Sequence, residues 1–234
     1  MRNRNRSSIE AVNAANVSYH ASFADKYEKT QPYYDPRNVN RIRDIFYKIG
    51  GGKMLDVGCG TGFLIDIAHS FFDVVIGVDI TDEMLDRVVD RRNVVVGNAD
   101  AYKLPFKDNT FDVVASYSFL HHLFSPPDVI DEIHRVLRPG GVYYNDQDPS
   151  RLFNLGPGRS KFEACCKKVC DMTGETERVV KLAEYQEFKN AGLVESELRE
   201  WLSAFKKVDI KYRWPNIDGL AKHKYQVIWF EAVK

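Results

Sequence analysis

Two carboxylates and one glycine-rich turn carry the first chemical signal in this chain. The turn lies in KMLDVGCGTGF, residues 53–63, where Gly58, Gly60 and Gly62 remove side chains at points that must bend or approach another molecule. Asp56 opens the turn and offers negative charge to an ammonium group. The helix that follows begins with N–H groups and a partial positive charge that suit a single carboxylate. Asp79 follows about 20 residues after the turn, where a carboxylate can accept hydrogen bonds from both hydroxyls of a ribose. The glycines read G-x-G-x-G, with Phe63 standing where a dinucleotide fingerprint has its third glycine, and this weakens a pyrophosphate reading. A ligand joining an amino acid to a nucleoside uses all of these features.

Such groups need rigid elements to hold them. Met54, Leu55 and Val57 suit a strand covered on both faces, and residues 74–78, ending at Asp79, suit a second. Further strands are expected over 94–96, 111–117 and 141–145. Helices are expected over 63–70, from Thr81 to Asp90, and from Pro126-Pro127 to the stop at Pro139-Gly140-Gly141. Asp35-Pro36 starts a helix carrying Val39, Ile42, Ile45, Phe46 and Ile49 at helical spacing. Strands alternating with helices imply right-handed crossovers and a parallel sheet with both faces covered. The rhythm then breaks. Residues 160–204 read as helical pieces, and 208–213 and 225–232 as two strands without a helix between them, hence an antiparallel pair. The predicted fold class is therefore α/β, a Rossmann-like doubly wound sheet with N-terminal helices and a helical insert after the fifth strand. One domain is expected: an N-terminal cover over 1–50, a ligand-binding core over 51–145, an insert over 149–205 and a terminal hairpin over 206–234.

In a doubly wound sheet ligands bind beyond the carboxyl ends of the strands, and the remaining polar candidates fall there too. Asp100 and Ala101 follow the third strand, Ser116, His121 and His122 the fourth, and Asp146 and Asp148 the fifth. A neutral imidazole suits proton removal near neutral pH, while the two aspartates suit a cationic acceptor or the orientation of a histidine. The histidines read equally as a packed helix start, and Asp148 before Pro149 as turn chemistry. Tyr19, Tyr33 and Tyr34 are lid candidates with core packing as the alternative. Arg2, Arg4 and Arg6 read as a solvated basic tail, ahead of a loosely helical stretch over 9–29.

DVGCGTG, VIGVDIT, GNADAYKLPFKDNTFDVV and RVLRPGG, in this order, resemble class I S-adenosylmethionine-dependent methyltransferases, especially the ubiquinone/menaquinone-type small-molecule branch. The resemblance spans Lys53 to Tyr144. It implies a seven-stranded sheet whose last strand is antiparallel, with S-adenosylmethionine as cofactor and S-adenosylhomocysteine as product. It further implies that Asp56, Gly58, Cys59, Gly60 and Thr61 hold the methionine part, Asp79 the ribose, Ile80 and Asp100 with the Ala101 backbone the adenine, and that Ser116 borders the reacting centre. His121, His122 and Asp146 are the catalytic candidates for a base-assisted transfer. A nicotinamide-dependent oxidoreductase and a binding protein without turnover are the rival readings.

The rest of the composition sets bounds. Lys+Arg and Asp+Glu both total 33 in 234 residues, so no global positive field favours nucleic acid as the partner; a small molecule is expected as acceptor. No apolar run approaches the roughly 20 residues of a membrane span. The start, MRNRNRSSIE, lacks the apolar core of a signal peptide, so a cytoplasmic protein is expected. Cys165, Cys166 and Cys170 crowd one segment without a familiar zinc spacing, and no metal is expected there.

Overall fold

A computed structural model describes residues 2–30, 35–151, 174–213 and 227–234. Valine, isoleucine and leucine runs form the centre of a single seven-stranded sheet because both faces of it are covered. In chain order the strands are β1 (Lys53–Val57), β2 (Val74–Asp79), β3 (Val94–Asn98), β4 (Phe111–Tyr117), β5 (Leu137–Pro149), β6 (Lys207–Arg213) and β7 (Val227–Val233). Their spatial order is β3-β2-β1-β4-β5-β7-β6. The first five run parallel, while β7 lies antiparallel to both β5 and β6. Strand order therefore reverses between β1 and β4, and that switch point opens a crevice above their carboxyl ends.

Each face has its own core. Leu55, Val57 and Val114 pack with α6 (Pro126–Val136), Tyr143 and Phe230 on one side. Met54, Val113, Ala115 and Tyr117 pack on the other against α3 (Pro36–Ile49) and α4 (Phe63–Ala68). Fully burying each such side chain is worth about 1.5–3 kcal/mol. The expected start of α3 is present, with the Asp35 carboxylate accepting from the Arg37 N–H at 2.7 Å.

Several boundaries differ from expectation for local physical reasons. The predicted basic tail is helical: α1 runs Arg2–Ala21, with Val12 and Ala15 buried and an Arg6–Glu10 pair at 3.1 Å. Docking of those apolar positions carries the helix back toward the N-terminus. A short helix, α2 (Tyr27–Thr30), follows. Thr81 does precede a helix, but α5 covers only Asp82–Leu85 and the threonine hydroxyl makes no capping bond. The fifth strand begins at Leu137 instead of Gly141, because Leu137 already pairs with Phe111 and the register then shifts across Pro139-Gly140-Gly141. Of the expected helical insert, α7 (Gly174–Ala183), α8 (Tyr185–Asn190) and α9 (Glu195–Trp201) are described. Tyr33, Tyr34, Cys165, Cys166 and Cys170 lie outside the described residues. Among the described residues no helix is long and apolar enough to cross a membrane.

Candidate active site

The glycine turn is pinned to its neighbour before any ligand enters. Gly58 and Cys59 donate their N–H groups to the Val78 carbonyl at 2.8 and 3.0 Å, which draws the turn over the end of β2. The Asp79 carboxylate then accepts from Gly60 N–H through one oxygen and from Thr81 N–H through the other, both at 2.9 Å. Gly58 has φ +70° and a Cβ there would lie 2.2 Å from the Phe119 ring, so only glycine fits. Phe119 belongs to the segment after β4, and this close approach ties the two sides of the switch point together.

Two hollows flank the turn. The larger holds about 720 Å³ of empty space including its open mouth. Of the sequence candidates, Gly58, Gly60, Asp79, Ile80, Asp100 and Ala101 are brought together along it. The smaller, of about 300 Å³, is bordered by Asp56, Cys59, Gly60, Thr61 and Tyr117. Asp56 is buried and neither carboxylate oxygen has a hydrogen-bond partner among the described residues. Burial, and then the charge of Asp79, push the Asp56 carboxyl up to about 8. The Cys59 thiol is also pushed up by burial, and a Cβ on Gly77 would touch its sulfur, so the side chain serves as packing beneath the turn.

The other wall comes from α1, part of the expected N-terminal cover, though not from Tyr19, the lid candidate on it. Asn13, Asn16 and His20 line the larger hollow and are spaced three and four residues apart, one face of a helix. Asn13 Nδ2 donates to Asp100 Oδ2 at 3.3 Å and Asn16 Nδ2 to the His122 carbonyl at 3.1 Å. The helix thus closes over the strand ends through polar contacts. The helical spacing of Asn13, Asn16 and His20 is visible in the sequence, but nothing local marks that face as inward; Tyr102, Tyr117 and Ser118, which also line the hollow, gave no signal either. Tyr27 borders both hollows, whereas Tyr19, a lid candidate, borders neither.

The candidates after β4 and β5 divide. His122 faces the larger hollow, its Nδ1 lying 2.7 Å from the Ala183 carbonyl. Burial, then His121 and His20, hold this imidazole well below the usual histidine range, so it is neutral. His121 is set back from the hollow, with Nδ1 2.7 Å from Asp148 Oδ1 and Nε2 3.5 Å from Glu184 Oε2. Two expectations need correction. Ser116 points to the opposite face from Tyr117, where it bonds Tyr143 at 2.9 Å and Asn145 at 2.8 Å, because side chains alternate along a strand. Asp146 is fully buried in an ion pair with Arg41 of α3 and accepts from the Tyr144 hydroxyl at 2.8 Å. It faces neither hollow, so its place is structural.

Comparison with known proteins agrees with this geometry. Residues 55–145 match the family model described as Methyltransferase domain. The 27-O-demethylrifamycin SV methyltransferase of Amycolatopsis mediterranei is 31% identical over 219 residues, which is 89% of this chain and 78% of that protein. A demethylmenaquinone methyltransferase of Symbiobacterium thermophilum is 43% identical over 105 residues, covering 40% of this chain and 41% of that protein. In fold, the chain is similar to phosphoethanolamine N-methyltransferase 2 of Haemonchus contortus, solved with S-adenosylmethionine. The TM-score is 0.63 at 19% identity, over 91% of this chain and 56% of that one.

Proposed function

The chain belongs to the class I S-adenosylmethionine-dependent methyltransferases, and on that premise we propose that it methylates a small molecule held beneath α1 and beside His122. The observation that carries this reading is the single hollow that joins the glycine turn, Asp79 and Asp100 on one side to the polar face of α1 on the other. Its donor set fits the cofactor. Asp56, buried with no hydrogen-bond partner among the described residues, suits the ammonium of the methionine part; the bare backbone at Gly58 and Gly60 suits close approach; Asp79 suits the ribose. Ile80, Asp100 and Ala101 form the remaining wall and suit the adenine.

When bound, S-adenosylmethionine supplies a methyl group on a sulfonium, which an acceptor lone pair displaces in line. The chain's part is to align and to exclude water. Asn13 and Asn16 fix α1 over the hollow, Tyr27 and Tyr117 border the methionine end, and His122 offers a neutral imidazole on the acceptor side. The N-terminal cover over 1–50 and the insert over 149–205 set acceptor choice in this reading. The relatives named for rifamycin and menaquinone chemistry support a small-molecule acceptor. The direct test is to incubate the protein with metabolite extracts and labelled S-adenosylmethionine and identify the product by mass spectrometry. Absence of transfer to every metabolite, together with transfer to protein or nucleic acid, would reverse the assignment of acceptor.

A pH dependence follows from Asp56. Its folded-state carboxyl titrates near 8, above the usual carboxylate value, so the native state binds this proton more tightly than the unfolded chain. The group's contribution to stability is therefore fully present at acidic pH and is lost as pH rises toward 8. Cofactor binding runs the other way, since an ammonium partner requires the carboxylate. Affinity for S-adenosylhomocysteine should rise with pH, by up to about tenfold per unit below about pH 8, with proton release in titration calorimetry. Asp56→Asn should weaken binding and flatten this profile; a profile unchanged in that variant would remove Asp56 from the ammonium site.

A further inference from the structure

Behind the acceptor side of the hollow, the segment after β4 meets the junction of α7 and α8. Glu184, at that junction, places Oε2 3.5 Å from His121 Nε2 and 3.8 Å from His122 Nδ1. One donor atom from each of the three residues lies within 4.8 Å of the other two. Four-coordinate zinc with bonds of about 2.0–2.1 Å spaces its ligand atoms by about 3.4 Å; the two contacts of Glu184, at 3.5 and 3.8 Å, are close to that, and the donor atoms of the two imidazoles lie within 4.8 Å of each other. All three side chains are at least largely buried, at 7%, 13% and 18% exposure.

The surroundings resemble those of a metal ligand set. His121 Nδ1 lies against Asp148 Oδ1 at 2.7 Å, and the same oxygen also accepts the His121 N–H at 3.0 Å. An imidazole held at Nδ1 by a carboxylate presents its Nε2 lone pair, the arrangement that fixes histidines around zinc. Asp148 is fully buried, and its other oxygen has no hydrogen-bond partner among the described residues. The fully buried Asp148 and the partly buried Glu184 beside two imidazoles leave negative charge that a cation would offset. His122 Nδ1 lies 2.7 Å from the Ala183 carbonyl, a hydrogen bond that this nitrogen gives up if it ligates a metal.

We propose that His121, His122 and Glu184 bind a divalent transition metal of the zinc type, with Asp148 as the residue that positions His121. His122 forms part of the hollow's wall, so the ion borders the acceptor space and has a coordination position left for an oxygen or nitrogen donor. That last clause rests on the methyl-transfer reading; the metal site itself does not.

The test uses the full chain, stripped with a chelator and titrated with Co²⁺ as a spectroscopic stand-in. It is carried out in a background of Cys165→Ser, Cys166→Ser and Cys170→Ser so that thiolates are not counted. The expected result is one Co²⁺ per chain with the strong visible absorption of a four-coordinate ion, displaced by Zn²⁺. Glu184→Gln and His121→Ala should each weaken Co²⁺ by about tenfold or more, and Asp148→Asn by about tenfold. Calorimetry with S-adenosylhomocysteine on the same variants reports that they are folded. Weak six-coordinate Co²⁺ binding that Glu184→Gln leaves unchanged would overturn the site. So would a His121 imidazolium, seen by NMR between Asp148 and Glu184 and indifferent to Zn²⁺. Metal binding without binding of S-adenosylhomocysteine would instead overturn the methyl-transfer reading and leave the metal site standing.

Discussion

Asp79→Ala is expected to weaken S-adenosylhomocysteine binding by about 100-fold or more. The Asp79 carboxylate works twice. It ties Gly60 to the end of β2 and Thr81 to the start of α5, and it borders the hollow where a ribose fits. Each hydrogen bond to a charged group contributes about 1.5–3 kcal/mol, and about 1.4 kcal/mol is a factor of ten in affinity. Loss of both ribose contacts therefore predicts two orders of magnitude, even after water replaces part of them. Releasing Gly60 loosens the turn as well, so the methionine end should suffer along with the ribose end. Asp79→Asn keeps one acceptor and loses the charge, and should fall between, at about tenfold. Titration calorimetry on both variants decides it: a Kd within threefold of the parent in Asp79→Ala would mean the ribose lies elsewhere.

What could be read beforehand was what the chain encodes locally. β1, β2 and β4 are built mainly of apolar residues, and β1 runs into Gly58 while β2 ends at Asp79, so the strands and the crevice above them were both legible. The glycine turn was legible for the same reason, since Gly58 has to be glycine on steric grounds alone. Three things depended on partners distant in sequence. Ser116 sits next to Tyr117, and which of the two faces the crevice is set by the pairing of β4 with β1 and β5, with no mark in the residues themselves. His121 and His122 are adjacent but differ in surroundings, because Asp148 reaches one and the hollow the other. The polar face of α1 acquires meaning only once Asn13 meets Asp100, 87 residues away. Chemistry at a strand end is thus easier to locate than to assign to a side chain.

Asp146 shows the consequence, and its substitution has the second large effect. An aspartate at the end of a parallel strand reads as functional, yet here it is fully buried and held by Arg41 from α3, by the Tyr144 hydroxyl and by the Gln147 N–H at 2.7 Å. Removing it leaves a guanidinium that is only about a quarter exposed, at 27%, without its counter-charge. Breaking a buried pair in this way costs about 3–5 kcal/mol, and the partial exposure of Arg41 points to about 3 for Asp146→Ala. In a domain of this length that lowers Tm by roughly 6–12 °C. Arg41→Met should cost less, because Asp146 keeps Tyr144 and Gln147 as donors. The double variant should recover part of the loss, since no orphaned guanidinium remains. Thermal unfolding of the four proteins yields the coupling. Binding of S-adenosylhomocysteine by folded Asp146→Ala, below its lowered Tm, should stay within about threefold, as Asp146 faces neither hollow. A variant that folds and binds with full affinity but has lost methyl transfer would instead return Asp146 to the catalytic machinery.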